Sequence, residues 1–156
     1  MRSISKFADR DIVDVGRNDI GKIARAHRAV AGTSAASGVL PLNAIDRDDF
    51  GNVVDTVNNR MIIPSDGVYL VTALAFASPS SAAGQAAEIA VTLNGTAICY
   101  GNVEYCTAAS QALSSLATDF CRFKKGDLLG WFWGGTAGIT MPVSNVYNYM
   151  SICKIA

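Results

Sequence analysis

Four cysteines, one histidine and three closely spaced aspartates are the residues of this chain best equipped for chemistry. Cys99, Cys106, Cys121 and Cys153 contain no C-x-x-C pair, and the single histidine, His27, lies far upstream of all of them. A zinc site needs tighter ligand spacing or more histidines, so no metal centre is expected. The cysteines keep two readings: small buried hydrophobes, or disulfides within the chain or between subunits in an oxidising setting. Spacing does not choose a pairing. Asp46, Asp48 and Asp49 offer hard oxygen donors of the kind calcium takes, but they read more simply as a solvated loop. His27 stands beside no serine or cysteine in a nucleophile motif and is expected to be exposed. No nucleophile, base and oxyanion donors come together, so neither an enzyme nor a bound cofactor is expected.

Two further motifs need weighing. Trp131-Phe132-Trp133 is the most conspicuous aromatic cluster. On a strand it would put Trp131 and Trp133 on one face and Phe132 on the other, leaving both faces apolar. Such residues can form a sugar platform, but core or subunit-interface packing is the more ordinary use of large aromatics. Asn94-Gly95-Thr96 matches a glycosylation sequon. It is better explained as a hairpin turn, because Asn-Gly between two apolar runs is the strongest short-range hairpin signal.

The elements that must position these residues divide the chain near residue 50. Residues 1–49 carry 15 of the 26 charged side chains, and residues 50–156 the other 11. The first stretch reads as a solvated or partner-bound arm and the second as the cored domain. In the arm, Asn18-Asp19 can cap a short helix over about 18–30, with Ile20, Ile23, Ala24 and Val30 as its apolar stripe and Lys22, Arg25 and Arg28 elsewhere on its surface. The small residues of 31–38 then read as a linker. From residue 50 the apolar period becomes two. Strands are predicted at 53–57, 61–63, 68–77, 89–93, 97–103, 111–123, 127–133, 138–143 and 146–155, with turns at Ser65-Asp66-Gly67 and Lys124-Lys125-Gly126-Asp127. Strands this short and regular predict an all-β sandwich of two antiparallel sheets. Zero formal charge gives no pull toward nucleic acid, and no apolar run is long enough to cross a membrane as a helix; nor is a secretory leader legible at the start.

Four segments then fall into a family's order. Ile63-Pro64-Ser65-Asp66-Gly67-Val68-Tyr69 resembles the P-x-x-G-x-Y turn into the central strand of the C1q/tumour-necrosis-factor jelly-roll superfamily. Asn94-Gly95 resembles its L-N-G turn, Phe123-Lys124-Lys125-Gly126-Asp127-Leu128 its L-x-x-G-D-x-V turn, and Tyr149–Ile155 its closing strand. The resemblance covers about 50–156. It implies a ten-stranded jelly roll that packs as a tight homotrimer, recognises partners through loops or its outer face, and has no enzymatic activity. Tyr69, Trp131, Phe132, Trp133 and Tyr149 are then the expected core or trimer-interface residues.

Neither the family's Gly-X-Y collagen stalk nor its membrane anchor is expected from these residues. The chain looks most like the versions in structural proteins of tailed bacteriophages. The expected role is a capsid decoration or cement protein on the virion surface, made in the host cytoplasm and docked on other virion proteins through residues 1–49, with Ile20, Ile23, Arg25 and Arg28 in the docking arm. Two alternatives stand beside it. One is a tail or head-fibre appendage whose loops 79–86, 104–111 and 134–139 bind a host-surface glycan; the other is a secreted C1q-like ligand.

Overall fold

The computed structural model describes residues 19–33, 38–144 and 146–156, and the side chains of all of these except 33 and 79–81. Among the described residues there are strands and no helix. In chain order they are β1 (Ile23–His27), β2 (Gly32–Thr33), β3 (Gly38–Val39), β4 (Ala44–Asp48), β5 (Val54–Asp55), β6 (Arg60–Ile62), β7 (Gly67–Ser81) and β8 (Ala86–Ala87). There follow β9 (Ile89–Leu93), β10 (Thr96–Tyr100), β11 (Glu104–Tyr105), β12 (Gln111–Phe123), β13 (Leu128–Trp133), β14 (Thr140–Met141) and β15 (Tyr149–Lys154).

Two antiparallel sheets hold most of them. The first runs β12-β7-β15-β1-β4, the second β10-β9-β13-β6-β5, with β3 also paired to β13. The chain changes sheet between β6 and β7, β7 and β9, β10 and β12, β12 and β13, and β13 and β15, so successive long strands face each other across the core. That alternation defines a jelly roll. The short ladders β8–β11 and β2–β14 pin the loops.

The core follows from the two-residue period of each strand. Tyr69, Val71, Ala73, Ala75 and Ala77 of β7 point inward, as do Ala24 and Ala26 of β1 and Met150 and Ile152 of β15. From the second sheet come Ile89 and Val91 of β9 and Leu129, Trp131 and Trp133 of β13, and all these residues form one buried cluster. Small alanines share this cluster with bulky indoles, which lets two sheets at a fixed spacing fill the interior. Trp133 Nε1 donates to the Thr136 carbonyl at 3.2 Å. Trp131 is fully buried, and its indole N–H finds no acceptor among the described residues.

Turn chemistry sets the register at the far end of the sandwich. Asn94 (φ 50°) and Gly95 (φ 86°) both adopt the left-handed backbone that a tight hairpin between β9 and β10 demands. The hairpin reading of Asn94-Gly95 therefore holds. Asn94 also bridges to the neighbouring turn. Its amide donates to Asp127 Oδ1 at 3.0 Å while its carbonyl oxygen accepts from the Leu128 N–H, and Asp127 Oδ2 accepts from the Lys124 N–H at 2.8 Å. These bonds, the Lys124 N–H first, hold the Asp127 carboxyl below its usual range. A carboxylate depressed in the fold contributes stability that is present above its unfolded pKa and lost as pH falls through the folded one. Part of the acid destabilisation below about pH 4 should therefore come from this turn. Thermal melts at neutral and acid pH are expected to show a shallower acid limb for Asp127→Asn than for the wild type, with a lower Tm at neutral pH.

The structure corrects the division at residue 50. Where a helix over 18–30 was predicted, β1 pairs with β15 on one side and β4 on the other. A one-stripe helix of that length is marginal alone, whereas Ala24 and Ala26 fit the inside of a sheet and hydrogen bonds flank the strand on both sides. Of the 31–38 linker, Gly32–Thr33 pairs with β14 and Gly38–Val39 with β13, while residues 34–37 lie outside the described residues. Residues 1–18, the start of the expected arm, also lie outside them. The described part of the arm belongs to the domain. Its charge has a local cause: β4 is an edge strand, and Asp46 and Arg47 on it discourage pairing with another chain.

Candidate assembly surface

The two edges of the first sheet differ in their exposed side chains. At one edge β4 carries charge; at the other, β12 carries exposed Leu116 (46%) and Phe120 (64%). Strand parity places both on the outward face, because Leu113, Ser115 and Ala117 between and before them point into the core. Only part of this edge is guarded by side chains. Asn102 accepts from the Leu116 N–H at 2.7 Å, and Glu104 takes the Ser114 N–H.

Register extends the apolar edge across the sheet. Phe120 lies opposite Leu70, Leu70 opposite Cys153, and Cys153 opposite Ile23. A parallel row runs Leu116, Leu74, Tyr149, His27. Between them lies a polar row of Thr118, Thr72, Ser151 and Arg25, in which the two threonine hydroxyls meet at 3.3 Å. Phe76 and half-exposed Tyr147 pack with ring centres 5.1 Å apart and planes tilted by 34°. The face thus carries two apolar rows across β12, β7 and β15 with a polar row between them, and becomes charged toward β1 and β4.

At the charged side, Asp46 lies 3.5 Å from Arg25 Nε and 2.9 Å from His27 Nδ1. The Arg25 guanidinium sits 3.8 Å from the centre of the Tyr149 ring. His27, expected to be exposed, is therefore half-buried in a strand and held by a carboxylate. The three aspartates do not converge either. Asp48 accepts backbone N–H groups of Phe50, Gly51 and Val53, and Asp49 pairs with Arg47 at 2.7 Å. No group of three or more potential metal ligands forms among the described residues. These aspartates brace a strand and its turn, rather than forming the solvated loop predicted from sequence.

The other singled-out residues scatter. Tyr69, Trp131 and Trp133 are core; Phe132 faces outward on the second sheet; Tyr149 lies on the outer face of the first sheet. Of the four docking-arm residues, Ile20 is exposed in a turn, while Ile23 and Arg25 lie on the outer face of β1. Arg28 is buried, donating from Nε to the Val30 carbonyl at 2.7 Å and from NH1 to Met141 Sδ, and burial lowers its pKa. All four cysteines are free thiols. Burial, followed by the Asp119 charge, pushes the Cys99 and Cys121 thiols up, so both are poor nucleophiles at neutral pH. Sequence reasoning missed Leu70, Leu74, Leu116 and Phe120. The available signal was the parity of 111–123, where apolar residues occur on both faces of an edge strand.

No family model matches this sequence, and no curated protein matches it. Solved structures do match the fold. Murine APRIL at pH 5.0 superposes with a TM-score of 0.66 at 8% identity, over 85% of this chain and 98% of that one. The fold is the C1q/tumour-necrosis-factor jelly roll. The globular domain of zebrafish complement 1qA protein matches at 0.63 with 9% identity, covering 86% of this chain and 98% of its own. Eiger TNF from S. frugiperda matches at 0.58 with 15% identity, over 86% and 92% of the two chains. At these identities the likeness concerns architecture. The order of the motifs around Pro64–Tyr69, Asn94-Gly95 and Gly126-Asp127 led to the same architecture from sequence.

Proposed function

We propose that this chain is a non-enzymatic assembly protein that forms a homotrimer through the outer face of its first sheet. The observation that carries the reading is the pair of apolar rows across β12, β7 and β15, with Phe120 and Leu116 exposed and Leu70 and Leu74 half-buried beside them. The β12 edge is bonded by side chains at Ser114 and Leu116, and an edge strand with exposed apolar residues is a site of further association. A closed three-fold ring needs two different, complementary patches on each copy. The β12 edge supplies one, and the neighbouring β7–β15 face supplies the other.

Cys153 offers a direct test, because it lies within the Phe120 row. Light scattering of the full chain is expected to give three times the protomer mass. A bulky maleimide is expected to label Cys153 slowly in that species and several-fold faster once the assembly is broken. A monomer at micromolar concentration, or equal labelling in both states, would count against the interface.

For the finer role we keep the capsid-decoration reading, with the trimer standing on the surface of a virion. Its support is the resemblance to C1q-like domains in phage structural proteins and a charged leading segment, in which residues 1–18 hold four basic and three acidic side chains. Docking is assigned to that segment alone. Deleting 1–49 would remove β1 and β4 and unfold the first sheet. Deleting 1–18 is expected to abolish attachment to particles while the trimer persists; a truncated trimer that still co-sediments with particles would refute the docking role.

A further inference from the structure

The outer face of the second sheet, opposite the proposed trimer surface, holds a small apolar hollow of about 130 Å³ with one carboxylate at its rim. Its construction is set by register. Ala90 of β9 lies opposite Phe132 of β13 on one side and Tyr100 of β10 on the other. Adjacent strands are about 4.8 Å apart, so the two aromatic residues stand roughly 10 Å apart across the strands, with only a methyl group between them. That leaves a slot with an alanine floor. Ala90 is 4% exposed, whereas Tyr100 is 67% exposed.

Glu88 lies two residues before Ala90 and so on the same face. A Cβ added to Gly134 would sit 3.5 Å from Glu88 Oε2, which places the carboxylate over a bare glycine. The Glu88 backbone carbonyl is occupied by the Gly134 N–H at 3.0 Å. Its carboxylate has no hydrogen-bond or ion-pair partner among the described residues, in contrast to Asp19, Asp46, Asp49, Asp55 and Asp127, which are all held.

We infer that this hollow is a docking site for an arginine side chain of a partner protein. Aromatic rings attract cations through their quadrupole, and a guanidinium adds a flat shape that fits a slot and a donor fork that fits a carboxylate. Neutral sugar hydroxyls would call for several polar groups around the slot, and Glu88 supplies the only charged one. The site does not depend on the trimer face being used, and a trimer built on the first sheet leaves it open.

The probe is Nα-acetyl-arginine amide, titrated into isotope-labelled full-length protein and followed by NMR. A ligand of this size is expected to bind with a Kd of roughly a millimolar, moving the resonances of Ala90, Tyr100 and Gly134 saturably. The citrulline analogue, a neutral isostere, should leave them in place. Glu88→Gln should weaken binding about ten-fold, and Tyr100→Ala several-fold; both positions reach solvent, and unchanged spectra elsewhere would confirm that the variants are folded. Equal shifts with citrulline or with a methyl glycoside, an unchanged Kd in Glu88→Gln, or no response to arginine would each overturn the assignment.

Discussion

Replacing Phe120 by aspartate is expected to convert the assembled protein to folded monomers. The ring is 64% exposed in the single chain and lies on the outward face of an edge strand, so it contributes little to the core. A large aromatic at the centre of an interface is worth about 2 kcal/mol or more, and a trimer closes three such contacts. Loss of all three would lower the assembly constant by roughly four orders of magnitude, and a buried unpaired carboxylate would lower it further. Light scattering at micromolar protomer should report one third of the wild-type mass, with an unchanged far-UV spectrum. Leu116→Asp should act in the same direction, since it lies on the same face of β12. A Phe120→Asp protein that retains its oligomeric mass would remove the interface from the face described.

Tyr69→Ala is expected to produce the largest loss of stability within the chain. The side chain is fully buried, packs 5.9 Å from the Phe123 ring, and donates its hydroxyl to the Ser65 carbonyl at 2.7 Å. Ser65 Oγ in turn accepts from buried Lys154 Nζ at 2.9 Å, so the closing strand and the turn before β7 share one network. Removing the ring leaves a cavity costing about 3–5 kcal/mol, or on the order of 10 °C in Tm for a domain of this size. Tyr69→Phe keeps the ring and loses the hydroxyl contacts, for about 1–2 kcal/mol. The two variants separate packing from hydrogen bonding when melted at one protomer concentration, which an oligomer requires. An alanine variant no less stable than the phenylalanine one would refute the packing account.

Much of this architecture can be read from local chemistry. Period two over 68–77 and 111–123, Asn94-Gly95 between apolar runs, and Gly126-Asp127 after two lysines each dictate a local geometry that the fold then uses. Such signals work because the backbone dihedrals or strand parity they impose hold in any surrounding structure. Residues 18–30 failed for the opposite reason. Their composition suited a weak amphipathic helix, and the strand they form is stabilised by β15, which lies more than a hundred residues away in sequence.

Local patterns thus dictate an all-β sandwich, its main turns and the placing of Trp131 and Trp133 in core or interface. Packing between distant strands settles which of those it was, and brings the charged opening strands into the first sheet as its guarded edge. The same packing leaves no domain boundary near residue 50 among the described residues. The reason is physical: a strand's parity says that two faces differ, whereas which face meets water depends on strands distant in the chain. Phe120 and Glu88 gain their meaning in this way, one from the register of four strands and the other from the alanine between two rings.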